Sequence, residues 1–315
     1  MLTTSQKIET AQVYLTTALR QANARLGQIH FKTLHKLLKY RQLEKTRLRL
    51  VKENLPLSLI TQSFPSLDNL NEFYTQLLRA TVDVDKLRKS LSILHWAQDK
   101  IKDLTREYSF KIDRSSTSLE IKKHTQTCLG RISSILKRAP LPYLEECRKI
   151  LREYPTIKEI YTVAIAGFPN VGKSTLLSKL TTAKPEIKPY AFTTKTLNLG
   201  YYRKHPYTLQ VIDTPGTLTR FNKMNAIEQQ AYLALQYAAH LIVYVYDLTE
   251  TSYPLVDQEK LYTHMHELDK PMIVYLSKTD LLSESQVQAF LEKKPDALTD
   301  LNQLKDKLLE HAKKH

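Results

Sequence analysis

The sequence predicts an all-α helical bundle followed by an α/β domain, in which a mostly parallel β-sheet carries helices on both faces. Two observations predict this division. The first 160 of the 315 residues contain two glycines, Gly27 and Gly130, and place apolar residues at helical spacing. After Pro155, short apolar and β-branched runs alternate with helical segments, which is typical of a parallel sheet. Because a single core rarely grows beyond about 250 residues, we predict two domains, at residues 1–158 and 159–315.

Helical spacing and helix breakers define the predicted bundle. The longest apolar stripe lies on one face of a single helix and consists of Val84, Leu87, Leu91, Leu94, Ala97, Ile101 and Leu104. Trp96 lies beside this stripe and is interpreted as a packing residue. Breaks are expected at Pro56, at Ser66 as a helix cap, at residues 115–116, at Pro140 with Pro142, and at Pro155. They divide the region into about five helices, which we expect to form an antiparallel bundle.

Positive charge is concentrated in the predicted bundle. Residues 1–160 hold 29 Lys and Arg against 16 Asp and Glu, so most of the formal net charge of +15 lies there. Residues 1–50 alone hold ten basic and two acidic side chains. A solvated helix face explains an isolated basic run. So one-sided an excess favours a polyanionic partner, above all nucleic acid, because clustered cations release condensed counterions from a phosphate backbone.

Composition argues against several other classes of protein. The longest apolar run, HLIVYVY, is far shorter than the roughly 20 residues that a membrane helix needs, and the N-terminus does not resemble a signal peptide. The two cysteines, Cys128 and Cys147, do not form a CxxC pair, which argues against a zinc site or a disulfide framework. We expect a cytoplasmic, monomeric protein that does not associate with membranes.

A phosphate-binding loop is predicted where the first strand of the α/β domain leads into a helix. Gly167, Gly172, Lys173 and Ser174 match the pattern G-x-x-x-x-G-K-[ST]. In such a loop the backbone N–H groups and the helix N-terminus bind phosphates, the lysine reaches the terminal phosphates, and the hydroxyl ligates Mg²⁺. We expect nucleotide contacts from six consecutive residues: Asn170, Val171, Gly172, Lys173, Ser174 and Thr175.

Two further segments are expected at the metal ion and the γ-phosphate. Asp213 directly follows the predicted strand TLQVI and can hold the Mg²⁺ shell, while the N–H of Gly216 can bond the γ-phosphate. Thr193 or Thr194 can supply a hydroxyl that closes on Mg²⁺, and we favour Thr194. In isolation, DTPG would indicate a turn and the threonines the start of a strand, but the phosphate loop changes this interpretation. The predicted catalytic residues are therefore Lys173, Thr194 and Gly216.

The segment SKTD, residues 277–280, indicates a guanine base. Asp280 can accept two hydrogen bonds from the guanine N1 and N2 groups, which adenine does not offer, and the stem of Lys278 can lie along the base. This favours GTP and GDP over ATP as ligands. The usual form of the motif begins with Asn, and this chain has Ser277 there. A base-side or loop-bridging hydrogen bond is therefore expected to be weaker.

Taken together, GFPNVGKST, AFTTKTLNLG, DTPG and SKTD resemble the Obg-related branch of the translation-associated GTPases. Within it, the chain is most similar to the nucleolar GTP-binding protein family in its short archaeal form. FPSLDNLNEFY, VDVDKLRKSLSILHWAQDKI and RISSILKR resemble that family's N-terminal domain, so the resemblance covers most of the chain. Eukaryotic members carry a long C-terminal extension that this sequence lacks, which suggests an archaeal source.

The resemblance implies a P-loop GTPase domain that hydrolyses GTP as a switch in biogenesis of the large ribosomal subunit. Its basic helical domain would contact the precursor of that subunit through ribosomal RNA. Because Thr217 stands where Ras-like switches have a water-orienting glutamine, we assign it no catalytic role and expect slow intrinsic hydrolysis. The alternative is an RNA-binding module whose RNA binding is controlled by bound nucleotide and whose hydrolysis of GTP is negligible.

Two positions are interpreted through the resemblance alone. Related enzymes use the Asn at the position of Asn170 to hold K⁺ beside the phosphates, where it can replace an arginine finger; an asparagine that only stabilises the turn is the alternative. The base pocket in this branch is usually completed by Ser-Ala after a final strand. Here Asp296 and Ala297 occupy the expected position, and we assign Ala297 to the base pocket.

Overall fold

The computed structural model describes residues 6–30, 35–181, 186–189, 196–214, 232–251 and 253–314. These residues form two compact units. The N-terminal unit comprises the described residues of Met1–Asn69 and Val82–Arg152, and the C-terminal unit those of Leu70–Thr81 and Glu153–His315. The predicted boundary between residues 158 and 159 stays a prediction, but the compact units divide the chain differently. One segment of the helical half, Leu70–Thr81, belongs to the C-terminal unit.

Helices account for the regular structure that is described in the first half of the chain. Their bounds are α1 Ala11–Leu26, α2 Lys36–Glu53, α3 Leu57–Ser63, α4 Glu72–Thr81, α5 Val84–Arg114, α6 Ser118–Arg138 and α7 Leu141–Arg152. The predicted all-α character is confirmed, with more helices than the five expected because α3 and α4 are short separate helices. The cap of α4 is Asn71, whose Oδ1 accepts from the N–H of Tyr74, and not the expected Ser66. No helix among the described residues is both long enough and apolar enough to cross a bilayer.

The core of the N-terminal unit forms along α5. The predicted apolar stripe is buried at Leu87, Leu94, Ala97, Ile101 and Leu104. Burying each large side chain of this kind stabilises the folded state by about 1.5–3 kcal/mol. The interpretation of Trp96 as a packing residue is wrong: it is 48% exposed. Its position two residues after Leu94 places it off the buried face.

The boundary between α5 and α6 follows the predicted serine break. Helix α5 begins at an aspartate cap, Asp83, whose side chain accepts from the N–H of Lys86, and ends at Arg114. Thr117 and Glu120 then form a reciprocal capping box that starts α6. Each arrangement satisfies backbone N–H groups that a helix N-terminus leaves without partners.

The C-terminal unit is built on a mixed, mostly parallel sheet. Its strands are β1 Thr162–Ala166, β2 Glu186–Pro189, β3 Thr196–Lys204, β4 Tyr207–Asp213, β5 Leu241–Tyr246 and β6 Met272–Leu276, in the spatial order β2-β3-β4-β1-β5-β6. Strand β1 pairs in parallel with β4 and β5, and β5 pairs in parallel with β6. Strands β2 and β3 are antiparallel to their neighbours. Every residue of β1 and β5 is buried, as expected of central strands covered on both faces.

Parallel pairing decides where the functional segments lie. The helices described in this unit after β1 are α8 Lys173–Leu180, α9 Leu255–His266, α10 Glu284–Lys293 and α11 Leu301–Lys313. Strands β1, β4, β5 and β6 run in the same direction, so their carboxyl ends lie at one edge of the sheet. The phosphate loop, Asp213 and SKTD all follow those ends. The predicted convergence of these three segments is therefore present in the fold.

Replacing Leu94 tests the core of the N-terminal unit. Leu94 is fully buried, so Leu94→Ala is expected to lower the free energy of unfolding by about 2–5 kcal/mol, through lost transfer energy and a residual cavity. Leu119→Ala is the control, because that leucine is 75% exposed. Urea titration followed by circular dichroism measures both. Equal stability of the two variants would contradict the placement of Leu94 in the core.

Candidate nucleotide-binding site

The loop between β1 and α8 has a backbone conformation suited to binding phosphate. Gly167 and Gly172 have positive φ angles of 140° and 95°, and Asn170 is left-handed with a φ of 64°. A Cβ at Gly167 would lie 2.6 Å from the carbonyl oxygen of Val245, so only glycine fits there. In the described structure no side chain caps the N-terminus of α8. Its first N–H groups are therefore available to an anion, where the helix dipole also favours negative charge.

Lys173 is held inside this loop. Its side chain is only 6% exposed, and Nζ donates a hydrogen bond to the carbonyl oxygen of Phe168 at 2.5 Å. Burial lowers the pKa of Lys173 to about 8, although the carboxylate of Asp213 opposes this shift. An incoming phosphate would restore the solvation that the ammonium group has lost. The arrangement is suited to a ligand with several negative charges.

Asp213 connects the loop to the end of β4 and fits a Mg²⁺ site. Its Oδ2 accepts from Ser174 Oγ at 2.6 Å and from Asn198 Nδ2 at 3.1 Å. Its Oδ1 is buried and has no hydrogen-bond partner among the described residues. A buried carboxylate oxygen without a partner is costly. Magnesium ions and their bound water take oxygen ligands of this kind, so Ser174 and Asp213 would hold Mg²⁺ here.

Asn198 is a site residue that the sequence reasoning missed. It lies directly opposite Asp213 in the antiparallel pairing of β3 with β4. The pairing explains why its amide reaches the carboxylate. The signal was available in principle, because a tight connection between two predicted strands fixes which residues face each other. The stretch AFTTKTLNLG includes this position, but the family resemblance assigns Asn198 no role.

Several predicted residues fall outside the described part of the chain. They are Thr193, Thr194, Gly216 and Thr217. The assignments of Thr194 to Mg²⁺ and of Gly216 to the γ-phosphate therefore stay predictions.

Ser277 joins the end of β6 to the phosphate loop. It is 8% exposed, and its Oγ lies 2.6 Å from the carbonyl oxygen of Val171 and 2.9 Å from that of Tyr246. The hydroxyl of Ser277 is shorter than the Asn side chain of the usual motif. It nevertheless makes the loop-bridging contact that was expected to be weaker. A Cβ added at Gly172 would lie 3.5 Å from the Cβ of Ser277. A small residue at 277 therefore allows the loop to pass close to the strand end.

Asp247 is a second residue that the sequence reasoning missed. It directly follows β5 and is 2% exposed, and its Oδ2 accepts from Lys278 Nζ at 2.6 Å. Its Oδ1 accepts from the N–H and the hydroxyl of Thr249 at 2.9 Å and 2.6 Å. Burial opposes ionisation, but the hydrogen bonds from Lys278 and Thr249 outweigh it and lower the pKa of Asp247. The position was readable, since Asp247 follows an apolar strand just as Asp213 does.

The remaining predicted base contacts lie around the end of β6. Lys278 is left-handed with a φ of 50°, and Asp280 is exposed on a single 3₁₀ turn, Thr279–Leu281. Ala297 is buried beside that strand end, because its neighbour Leu298 accepts from Leu276 N–H at 2.8 Å and donates to the Val274 carbonyl at 2.9 Å. The fold brings the two segments together, and their roles in base recognition stay predictions.

Known proteins match both halves of the chain. A family model described as the NOG1 N-terminal helical domain matches residues 7–158, and one described as a 50S ribosome-binding GTPase matches residues 162–278. The uncharacterized protein MJ1408 of Methanocaldococcus jannaschii is 36% identical over 280 residues, which cover 86% of this chain and 78% of that protein. Nucleolar GTP-binding protein 1 of Drosophila melanogaster is 36% identical over 234 residues, covering 72% and 36%. The chain belongs to the nucleolar GTP-binding protein family.

This membership confirms the resemblance to the nucleolar GTP-binding protein family. The C-terminal half is a GTPase domain, which binds GTP. Placement in the Obg-related branch stays a prediction. The chain spans less than half the length of its eukaryotic relatives, for example 42% of the Arabidopsis thaliana protein. Among solved structures, the G domain of the FeoB iron transporter of T. maritima matches 49% of this chain and 99% of its own, with 26% identity and a TM-score of 0.39.

Proton uptake tests the position of Lys173. Because its pKa is about 8, part of the population is neutral above that pH and must take up a proton when phosphates bind. With saturating Mg²⁺, GDP binding is expected to take up about 0.8 proton near pH 8.5 and about 0.1 near pH 7. The affinity for GDP is therefore highest below the pKa of Lys173 and falls as the pH rises through that pKa. Calorimetry in buffers of different ionisation enthalpy measures this, and equal uptake at both pH values would contradict it.

Asp247→Asn tests the ion pair behind SKTD. Without the carboxylate, Lys278 loses a buried charged partner, and GDP affinity is expected to fall about tenfold. Asp257→Asn is the matched control, since its 3.0 Å pair with Lys260 is largely exposed and contributes little. Fluorescent GDP titration and thermal melts report affinity and stability separately. A lower melting temperature with unchanged affinity would leave Asp247 a purely structural residue.

Proposed function

We propose that this protein hydrolyses GTP to GDP and phosphate and acts as a nucleotide switch in biogenesis of the large ribosomal subunit. One observation carries the catalytic part. A buried lysine and a hydroxyl–carboxylate pair, Ser174 with Asp213, meet at the N-terminus of α8, where one carboxylate oxygen is left without a partner. The match of residues 162–278 to a family of 50S ribosome-binding GTPases supports the ribosomal part.

The site residues suit phosphoryl transfer, which needs positioning and neutralisation of charge more than covalent participation by the protein. Lys173 and the N–H groups at the start of α8 bind and orient the phosphates. Mg²⁺, held through Ser174 and Asp213, supplies charge neutralisation at the phosphate oxygens when it is bound. Gly216 and Thr194 are proposed to complete the site when the γ-phosphate is present.

Slow intrinsic turnover follows from the same residues. The site as assigned lacks an arginine finger and a water-orienting glutamine, which would otherwise accelerate hydrolysis. We assign the missing charge to K⁺ held at Asn170, whose left-handed backbone lies at the bend of the phosphate loop. The alternative function, an RNA-binding module with negligible hydrolysis, would show no turnover in any salt.

Phosphate release separates these functions. Turnover by the full chain is expected to be low in NaCl, higher in KCl, and raised again by purified large ribosomal subunits. Lys173→Ala is expected to abolish the signal, because it removes the cation that reaches the terminal phosphates; the variant's melting temperature controls for folding. Equal rates in KCl and NaCl would remove the role of K⁺. Absence of release with subunits present would leave the nucleotide-gated module.

Asp280→Asn tests the guanine assignment. An amide in place of the carboxylate cannot accept both base hydrogen bonds, and it complements the xanthine base instead. We expect the variant to lose GTP affinity and gain affinity for xanthosine triphosphate in competition titrations. Asp269→Asn is the control, since Asp269 is an aspartate that follows α9 at the opposite edge of the sheet. An unchanged preference for GTP would contradict the assignment of SKTD.

The helical unit is proposed to bind the precursor of the large subunit through its ribosomal RNA, as a monomer in the cytoplasm. Its excess of basic residues supports a polyanionic partner. The names of the eukaryotic relatives, nucleolar GTP-binding protein 1, agree with a place in ribosome assembly.

A further inference from the structure

A groove lined by cations runs between α2 and α5 in the N-terminal unit. The two helices are antiparallel, because Lys45 pairs with Asp113 near the end of α5. Lys52, about two turns farther along α2, lies with Lys102. The groove has a volume of about 520 Å³. Its basic residues are Lys45, Arg49, Lys52, Lys102 and Arg106.

The spacing of these cations follows from helix geometry. On α2 they are four and three residues apart, and on α5 four apart, so each set lies on one helix face. Four residues of helix rise by about 6 Å. The two rows therefore present positive charges at regular intervals along both sides of the groove.

Most of this charge is not balanced within the fold. Lys45 pairs with Asp113 at 2.6 Å. Among the described residues, the other four cations have no salt-bridge partner, and Glu53 lines the adjoining pocket with Lys52 and Lys102. Such a concentration of like charge is unfavourable in the free protein and favourable when a polyanion binds.

Other cations of α2 show the contrast. Arg47 donates to Glu44 at 2.6 Å, and Arg41 donates to the carbonyl oxygen of Ser115 at 2.5 Å. The charges of those two arginines are therefore used in contacts within the helical unit. Arg49, which is exposed and two residues beyond Arg47, has no such partner in the described structure. In the second half of α2, from Glu44 to Glu53, the cations without such a partner, Arg49 and Lys52, therefore both lie on the groove.

Phe110 distinguishes this groove from a merely basic surface. Its side chain is 59% exposed and lies on the groove with Arg106 and Ser109. An exposed ring among cations offers a stacking surface for an unpaired base, and such stacking contributes substantially to the affinity of proteins for single-stranded nucleic acid. An acidic protein would match the cations but would leave the ring without a specific partner. Duplex nucleic acid keeps its bases stacked on each other and would not use the ring either.

We propose that this groove binds an unpaired stretch of RNA, whose phosphates contact the four unbalanced cations and one of whose bases stacks on Phe110. The inference rests on the proposed function, since it assigns the RNA contact of the helical unit to one face. The inference goes beyond the proposed function by naming the surface that binds RNA and the single-stranded character of that RNA.

The test uses the full chain and a fluorescein-labelled RNA hairpin with an unpaired loop, followed by fluorescence anisotropy between about 50 and 300 mM KCl. Arg49→Gln/Arg106→Gln is expected to weaken binding about tenfold and to reduce the slope of log K against log salt by about 1.4. Arg20→Gln/Arg25→Gln is the matched control. It removes two exposed arginines of α1 that have no salt bridge among the described residues, and it should change binding little.

Phe110→Ala separates stacking from charge. The variant is expected to bind the hairpin about 5- to 100-fold more weakly with an unchanged salt slope, and to bind a fully paired duplex of the same sequence as the wild type does. Unchanged affinity for the hairpin would overturn the stacking contact. Equal wild-type affinity for hairpin and duplex would overturn the preference for unpaired RNA.

The outcomes also distinguish this inference from the proposed function. If the wild type binds the hairpin and both arginine pairs weaken it equally, the groove is wrong while RNA binding stands. If polyglutamate competes for the groove as well as the hairpin does, the partner is an acidic protein and the inference fails. If the wild type binds no RNA, both the groove and the proposed RNA partner fail. Melting temperatures of all variants should match the wild type, because every substituted side chain is exposed.

Discussion

Four parallel strands end at one edge of the sheet, and the nucleotide site depends on that alignment. Strands β1, β4, β5 and β6 each leave a functional group at this edge, although these groups are spread along the chain from Ser174 to Ser277. The close approach at Gly167 makes the arrangement tight, because a side chain there would meet the end of β5. Contacts across strand ends, from Ser174 to Asp213 and from Ser277 to Val171, hold the loop in this conformation. Preorganisation of this kind lowers the cost of binding.

The sequence predicted this part well because local signals and topology agree. Glycines, a lysine and a serine between strand and helix define the loop, and the alternation of strands and helices implies parallel pairing. Asn198 and Asp247 were not predicted from the sequence, for different reasons. The amide of Asn198 reaches its partner through strand register, which no residue pattern states. Asp247 carried the same signal as Asp213, but without a surrounding motif it gave no reason to be chosen.

The segment Leu70–Thr81 shows what the sequence could not supply. Its buried residues Phe73 and Leu77 have the helical spacing of the bundle around them, so the pattern predicts a helix but not its partner. In the C-terminal unit α4 contacts Ala234–Ala238, and the Tyr74 hydroxyl accepts from Ile157 N–H and donates to the Pro155 carbonyl, both at 2.8 Å. Amphipathic spacing shows that a face is buried. Only three-dimensional packing decides which neighbour covers it.

Positive charge acts differently in the two units. Lys173 is buried, so the proposed contact of its ammonium group with phosphate would lie in a medium of low polarity, where salt screens little. Arg49 and Arg106 are exposed, and at physiological ionic strength their field decays over about 8 Å. A nucleotide held by the first kind of contact should therefore remain bound at salt concentrations that release RNA from the second. If both proposals hold, the contrast between buried and exposed cations would give tight binding of a small ligand in one unit and salt-sensitive binding of a large polyanion in the other.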